Sequence, residues 1–399
     1  FQTRSDGSSQ TQRFPFTFPV PGDPANKTLD YSRYLPLSFS PGFDIHNRLP
    51  YAEHYNLSIQ RELSKSTVLT LAYVGTQGHR LIAQYDANPG NQALCLTLSD
   101  PANVFPGSPT CGPNLEQQTY TLPTGSYDPV NQVCVSGCIF GTRDKLGPNF
   151  SQNNSFTADI ANSNYNAGQI TIERKAADFT FLAAYTYSKG IDDSSGFGQW
   201  VNFANHRLSR SLSAYDTTHN FVVSYIWAVP FDRAFTGLPK RLTQGWALNG
   251  ITRWSGGLPI GLMEGDDQSL TGSPNTDVPN VVGKVVTQNP RNANPNCPTA
   301  DTTGCFFLPQ AFAPGPLGQF GNANRQFFHG PAISNTDFGI SKRTTIKESM
   351  GFEIRAEFFN IFNHAQFKNP SGDISGNQFG QVTSARDPRI GQFGAKFYW

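Results

Sequence analysis

Nine stretches of this chain alternate apolar and polar side chains with period two, and the connections between them alternate between short and long. The stretches are residues 53–63, 67–75, 163–174, 178–188, 219–231, 243–254, 335–344, 350–362 and 389–399. Period two is the signature of a strand with one apolar and one polar face. In 53–63, Tyr55, Leu57, Ile59 and Leu63 oppose Asn56, Ser58, Gln60 and Glu62. In 350–362, Phe352, Ile354, Ala356 and Phe358 oppose Glu353, Arg355 and Glu357. The short connections are 64–66, 175–177, 232–242 and 345–349; the long ones are 76–162, 189–218, 255–334 and 363–388. A soluble sandwich has no reason to gather every long loop at one end. An outer-membrane barrel has one, because its periplasmic turns are short and its extracellular loops long. The expected fold is therefore all-β, an antiparallel transmembrane β-barrel.

Composition is consistent with this reading and narrows the function classes. Gly and Pro number 37 and 29, and aromatics make up 13% of residues, which suits strands joined by turns better than long helices. No apolar run reaches the length of a membrane-spanning helix, a test to which barrel strands are invisible. The net charge of +1 with only 15% charged residues provides no basic field for nucleic acid.

Strand parity assigns sides. If the short turns are periplasmic, 389–399 runs inward and carries Trp399 to the periplasmic rim, with Phe393 and Phe397 on the same face. Strand 53–63 also runs inward, which makes residues 1–50 part of an extracellular loop and predicts further strands upstream of residue 1. The region 256–335 has room for another hairpin. Tyr55, Tyr73, Tyr187 and Trp254 lie at strand ends, where aromatic girdles meet the membrane interface; ordinary core packing is the competing reading.

The six cysteines all fall in the loops. Proximity pairs Cys95 with Cys111, Cys134 with Cys138 and Cys297 with Cys305, as expected in an oxidising compartment. Free thiols are the alternative, and zinc is disfavoured because there is no CxxC pair. NKT at 26 and NFS at 149 are formal glycosylation sequons that a bacterial outer membrane leaves idle.

No catalytic constellation stands out: HExxH, GxSxG, P-loop and strand-linked GxGxxG motifs are all missing. Glu353 and Glu357 could act as a carboxylate pair, but Arg355 between them on the same face favours a lumenal charge ladder. Glu264, Asp266 and Asp267 are a weak candidate for calcium through oxygen ligands, with a solvated loop as the alternative. Asp192 and Asp193 are expected to shape a turn. Trp200, His206 and Arg207 combine an aromatic with polar donors in a predicted extracellular loop, a combination that suits sugar or peptide recognition. No cofactor is expected.

Several stretches resemble a known family. RAEFFNIFNHAQFKNP (355–370) and GQVTSARDPRIGQFGAKFYW (380–399) resemble the last two strands of TonB-dependent outer-membrane receptors. HNRLPYAEHYNLSIQREL (46–63), YVGTQGHRL (73–81), SNYNAGQITIERK (163–175), YTYSKGIDDSSG (185–196) and AYDTTHNFVVSY (214–225) resemble the Oar-like branch abundant in acidobacteria. That branch carries a carboxypeptidase-regulatory-like domain at its N-terminus. The resemblance implies a 22-stranded barrel, of which these residues supply about the last nine strands. It also implies a plug and a TonB box, neither of which is found here, and import of a bulky nutrient such as a siderophore, oligosaccharide or peptide. Implied partners are outer-membrane lipid, the TonB complex and the barrel-assembly machinery, which would read Phe393, Phe397 and Trp399 as an insertion signal. Trp399 replaces the usual terminal Phe, and RKAADF replaces a more typical polar turn. Two other readings compete. One is an adhesin or assembly scaffold on the same barrel; the other is a secreted all-β carbohydrate-active enzyme.

Overall fold

The structure is a computed structural model. It describes residues 40–99, 154–273, 276–297, 303–347 and 350–399, together with isolated positions between residues 2 and 150. Nine long strands form one antiparallel ladder: β1 Tyr51–Ser64, β2 Thr67–Asp86, β3 Ser155–Lys175, β4 Phe179–Asp192, β5 His219–Val229, β6 Trp246–Ser255, β7 Ile333–Lys347, β8 Met350–Phe359 and β9 Ile390–Tyr398. Each pairs with its sequence neighbours, and the path runs from β9 to β1 without closing. All nine expected strands form. Two are longer than the alternation suggests: β2 continues to Asp86 and β3 begins at Ser155, and these extensions pair with each other through Ser155–Asp86. Polar and small residues there hid the strand, because the extension packs beneath loops rather than against one apolar medium. Alternation also overran at 219–231, 243–254 and 350–362, which end or begin as strand at Val229, Trp246 and Phe359.

Register sorts the two faces. Ile59, Leu71, Ile170, Tyr185, Phe221 and Trp254 are opposed in one cross-strand row. Phe179, Trp227, Leu248, Ile340, Ala356 and Phe393 form another row on the same face. On the opposite face, Thr180, Ile226, Asn249, Gly339, Glu357 and Gln392 form a row of mixed character. A slip of one residue would exchange these faces along a whole strand, so the burial of one face sets the register. Phe393 and Trp399 are 80% and 85% exposed, so their rings project outward from the apolar face rather than into a core. The Phe397 and Trp399 rings stack at 6.0 Å.

Connections 87–154, 193–218, 256–332 and 360–389 leave from one end of the sheet, and 65–66, 176–178, 230–245 and 348–349 from the other. At the loop end of the apolar face, Tyr73 donates to Asn166 at 2.6 Å, Tyr55 lies 6.2 Å from Tyr73, and Trp254 stacks on Phe221 at 5.6 Å. Tyr187 meets His219 at 5.3 Å. The Tyr55 and Tyr73 hydroxyls are bonded while their rings stay exposed, as an interfacial belt requires.

The 256–332 loop holds the short pairs Pro259–Gly261 with Gln326–His329 and Asn280–Val281 with Phe312–Ala313. The room for a hairpin is thus used outside the main sheet. Phe307 is fully buried there, edge-on to Phe312, Phe328 and Phe379 at 5.7, 5.2 and 5.1 Å. Phe379 comes from the last loop, so one aromatic core joins both connections. At Gly372 a Cβ would lie 1.7 Å from the Gly261 carbonyl, so only glycine allows the two loops this close.

Because the faces differ in their surroundings, Ile340→Arg and Ser341→Arg should differ sharply. The first places a cation mid-strand on the apolar face and should cost about 2–4 kcal/mol of folding into a bilayer, while the second should be near neutral. Urea-titrated refolding into phospholipid vesicles measures both.

Candidate functional site

Two features converge at the loop end of the sheet. The first is a groove on the mixed face. Its upper part, about 670 Å³, is floored by Arg253 and Asn335, and by Ile251, Asp337, Phe359 and Ile390. Lys368, Arg386 and Asp387 of the last loop wall it. A second recess of about 420 Å³ continues toward the turn end and shares Ile251, Asp337 and Phe359. Leu182, Ile226 and Ile251 make it more apolar, with Glu173 and Glu357 at its edge.

Most polar groups of the floor are already committed. Asp337 Oδ1 accepts from Asn335 Nδ2 and from the Asn360 amide, each at 2.9 Å. Arg253 Nε donates to Asn220 at 3.0 Å. Among the described residues, the Lys368 and Arg386 side chains make no hydrogen bond or ion pair. The groove therefore presents two uncommitted cations above a floor whose Asp337, Asn335 and Arg253 are bonded internally and whose Ile251, Phe359 and Ile390 are apolar.

The second feature is the polar clamp that holds the loops over this end. Arg325, about nine-tenths buried, pairs with Asp192 at 2.6 Å. Its guanidinium also reaches Ser195, Gln199 and the Ser209 carbonyl, so one side chain ties the 256–332 loop to β4 and to the 193–218 loop. Burial lowers the Arg325 pKa and the Asp192 charge opposes that shift. Asp193 accepts from the Asn162 amide at 2.8 Å and pairs with Arg210 at 3.4 Å. Asp192 also takes the Ser195 hydroxyl at 2.8 Å, so the expected turn-shaping is present but subordinate to ion pairs between loops. Asp216 meets His329 at 2.7 Å. Burial pushes the Asp216 carboxyl up, but His329, the Gly190 amide and Thr218 together hold it below its ordinary value. At the end of β2, Asp86 and Arg143 form a buried pair at 3.0 Å.

The remaining sequence candidates have local explanations. Trp200 bridges to Gln84 beside β2, while His206 and Arg207 lie exposed on a 3₁₀ turn capped by Asn205. Among the described residues no hydrogen bond or ring contact joins Trp200 to either. Glu264, Asp266 and Asp267 do not form a cation site either: among the described residues no three His, Cys, Asp or Glu side chains converge as metal ligands. The carboxylates of Asp267 and Glu264 serve the backbone instead. Asp267 accepts from the Thr271 and Gly272 amides at 3.1 and 2.7 Å, and Glu264 from the Gly315 amide at 3.2 Å. Glu353, Arg355 and Glu357 do share the mixed face, opposite Lys396, Gly394 and Gln392. Cys297 and Cys305 form the expected disulfide. Cys95 is disulfide-bonded; its expected partner Cys111, and Cys138 of the expected Cys134–Cys138 pair, lie outside the described residues.

Sequence reasoning missed Arg325, His329, Asp216 and the groove cations Lys368 and Arg386. Arg253, Asn335 and Asp337 were legible as polar alternates within strands. The loop residues carry no period, and only the fold brings them to the same place.

A family model described as outer membrane beta barrel domain matches residues 1–392. The chain belongs to the outer membrane β-barrel domain family. It is thus a barrel component of the bacterial outer membrane. Among curated proteins none matches it. Among solved structures, the outer membrane transporter YddB from Escherichia coli is similar at 8% identity and a TM-score of 0.43. That match covers 90% of this chain and 34% of the transporter. OccAB1 from Acinetobacter baumannii is similar at 9% identity and a TM-score of 0.21, over 87% of this chain and 51% of that one. The chain therefore spans about a third to a half of these structures' lengths.

One buried carboxyl gives the clamped loops a pH dependence. Burial raises the Asp277 pKa to about 7, and the charges of Asp267 and Glu264 add to the rise. Its Oδ1 is buried without a partner. The unfolded chain releases this proton nearer pH 4, so rising pH disfavours the folded loop between about 4 and 7 and adds nothing further above that. Asp277→Asn should remove this component. Hydrogen exchange of residues 256–332 should therefore slow relative to the parent at pH 8 and match it at pH 4.

Proposed function

We propose that this chain forms the barrel wall and ligand-capturing loops of a TonB-dependent outer-membrane transporter. Its cargo would be a bulky nutrient of the oligosaccharide, peptide or siderophore class. The observation that carries this reading is the groove on the mixed face. It opens directly beneath clamped loops, offers Lys368 and Arg386 without partners among the described residues, and continues past Ile251 and Phe359 toward the other end of the strands. A structural wall has no need of uncommitted cations there, whereas a ligand with anionic or polar groups and an apolar body matches both parts. The Oar-like sequence stretches support the TonB-dependent branch. In this reading the long connections are extracellular and the short ones periplasmic. Cargo is captured by the loops and passes along the groove with energy delivered through TonB.

The direct test is uptake by cells expressing the full protein, using maltodextrins, a peptide mixture and ferric catecholates as probes. Energised accumulation of one class, abolished by a protonophore, is expected. Lys368→Ala with Arg386→Ala should raise its half-saturation concentration about tenfold, the scale of one or two lost charge-assisted hydrogen bonds. Uptake insensitive to the protonophore, or none for any class, would contradict the proposal. Separately, deleting residues 397–399 should abolish heat-modifiable barrel formation, because the assembly machinery is proposed to read Phe393, Phe397 and Trp399. Normal assembly of the truncated protein would refute that role.

A further inference from the structure

One connection at the turn end does not fit its neighbours. Residues 65–66, 176–178 and 348–349 are minimal, but 230–245 is long enough to carry two helical turns, Phe231–Ala234 and Lys240–Thr243. A turn that only reverses the chain needs neither. Phe235, Leu238 and Leu242 are 53%, 53% and 62% exposed, an apolar surface with no protein cover among the described residues. Arg233, Lys240 and Arg241 are interleaved with them and also exposed.

The contacts of the segment place it on the lipid side of the wall. Trp246 and Lys342 share the apolar face, in one row with Val229, Ile354 and Ala395. The Trp246 indole donates to the Leu242 carbonyl at 2.8 Å, and the Phe231 ring sits edge-on to it at 6.1 Å. Lys342 Nζ donates to the Arg241 carbonyl at 2.9 Å and to the Gln244 carbonyl, and lies 5.7 Å from the Trp246 ring centre. Both outward-facing side chains therefore hold the segment's backbone, which folds back over the outer surface instead of hanging below it. Gly245 makes this possible. It has φ +78°, and a Cβ there would lie 2.0 Å from the Arg343 carbonyl. The segment's one carboxylate, Asp232, accepts from Gln244 at 3.0 Å, and Asp178 of the neighbouring 176–178 turn lies 3.9 Å from Arg233. Lys240 and Arg241 have no acidic partner among the described residues.

We propose that residues 231–244 are a membrane-surface anchor that docks on anionic phospholipid headgroups of the periplasmic leaflet. Phe235, Leu238 and Leu242 enter the headgroup region, and Lys240 and Arg241 meet phosphates. The location is continuous with the lipid-facing band, and an apolar surface fringed by unpaired cations is complementary to such a leaflet. The periplasmic side rests on the orientation given under Proposed function; contact with lipid does not.

Hydrogen–deuterium exchange on the full chain reconstituted in nanodiscs tests the inference. Amides of residues 233–243 should exchange about fivefold more slowly in phosphatidylglycerol-containing discs than in phosphatidylcholine discs, the factor that one headgroup-paired basic residue contributes. Lys240→Gln with Arg241→Gln should erase that difference. Leu238→Ser with Leu242→Ser should speed exchange in both, and heat-modifiable mobility confirms that each variant is folded. Exchange that ignores the headgroup would overturn the proposal, as would protection that arises only on adding a periplasmic extract. The orientation is tested independently: cleavage at 230–245 by protease added to intact cells would overturn the periplasmic side whatever the exchange result.

Discussion

A strand in a membrane has no water to satisfy its amide and carbonyl groups, so each must find a partner on the next strand. Everything else in this protein follows from that requirement. The ladder from β1 to β9 satisfies these groups between antiparallel neighbours, with local register shifts in the β1–β2, β2–β3 and β7–β8 pairings, and the register then decides which residues share the apolar face. Rows such as Phe179, Trp227, Leu248, Ile340, Ala356 and Phe393 exist because pairing and the pleat leave no freedom once one face must be apolar.

The mixed face is under no such restriction, and this is where the wall can acquire function. Its apolar positions Leu182, Ile226 and Ile251 sit beside Glu173, Asp337 and Glu357 instead of forming a uniform surface. At the loop end the groove gains walls that are not part of the sheet. Their placement relies on a few buried polar links: Arg325 to Asp192, Asp216 to His329 and Asp86 to Arg143. Removing one member of the Arg325–Asp192 or Arg143–Asp86 pair leaves a buried charge uncompensated, at a cost of about 3–5 kcal/mol. These links and the Phe307 core therefore act together. The aromatics supply cohesion, and the ion pairs set where the loops sit relative to the groove.

The two ends of the strands solve different problems. At the loop end, Tyr55 and Tyr73 keep bonded hydroxyls at the limit of the apolar band, and Tyr187 and Trp254 pack their rings on His219 and Phe221. At the turn end the connections are minimal except at 230–245, where the chain covers its own outer surface and carries cations there.

The sequence by itself determined the nine strands, their faces, the alternation of connection lengths and the Cys297–Cys305 bridge. A two-residue period and a short loop closure are local properties that survive in one dimension. It also showed that Glu353, Arg355 and Glu357 share a face. Only the tertiary structure decided that Asp192 is an ion-pair partner of Arg325 more than a turn residue, and that Glu264 and Asp267 bind backbone amides. Likewise, only the fold brings Lys368 and Arg386 to the groove and lays 230–245 against the apolar face. Each of these joins residues far apart in the chain through loops without periodicity. The energy of such contacts depends on burial and on distances that sequence order does not encode.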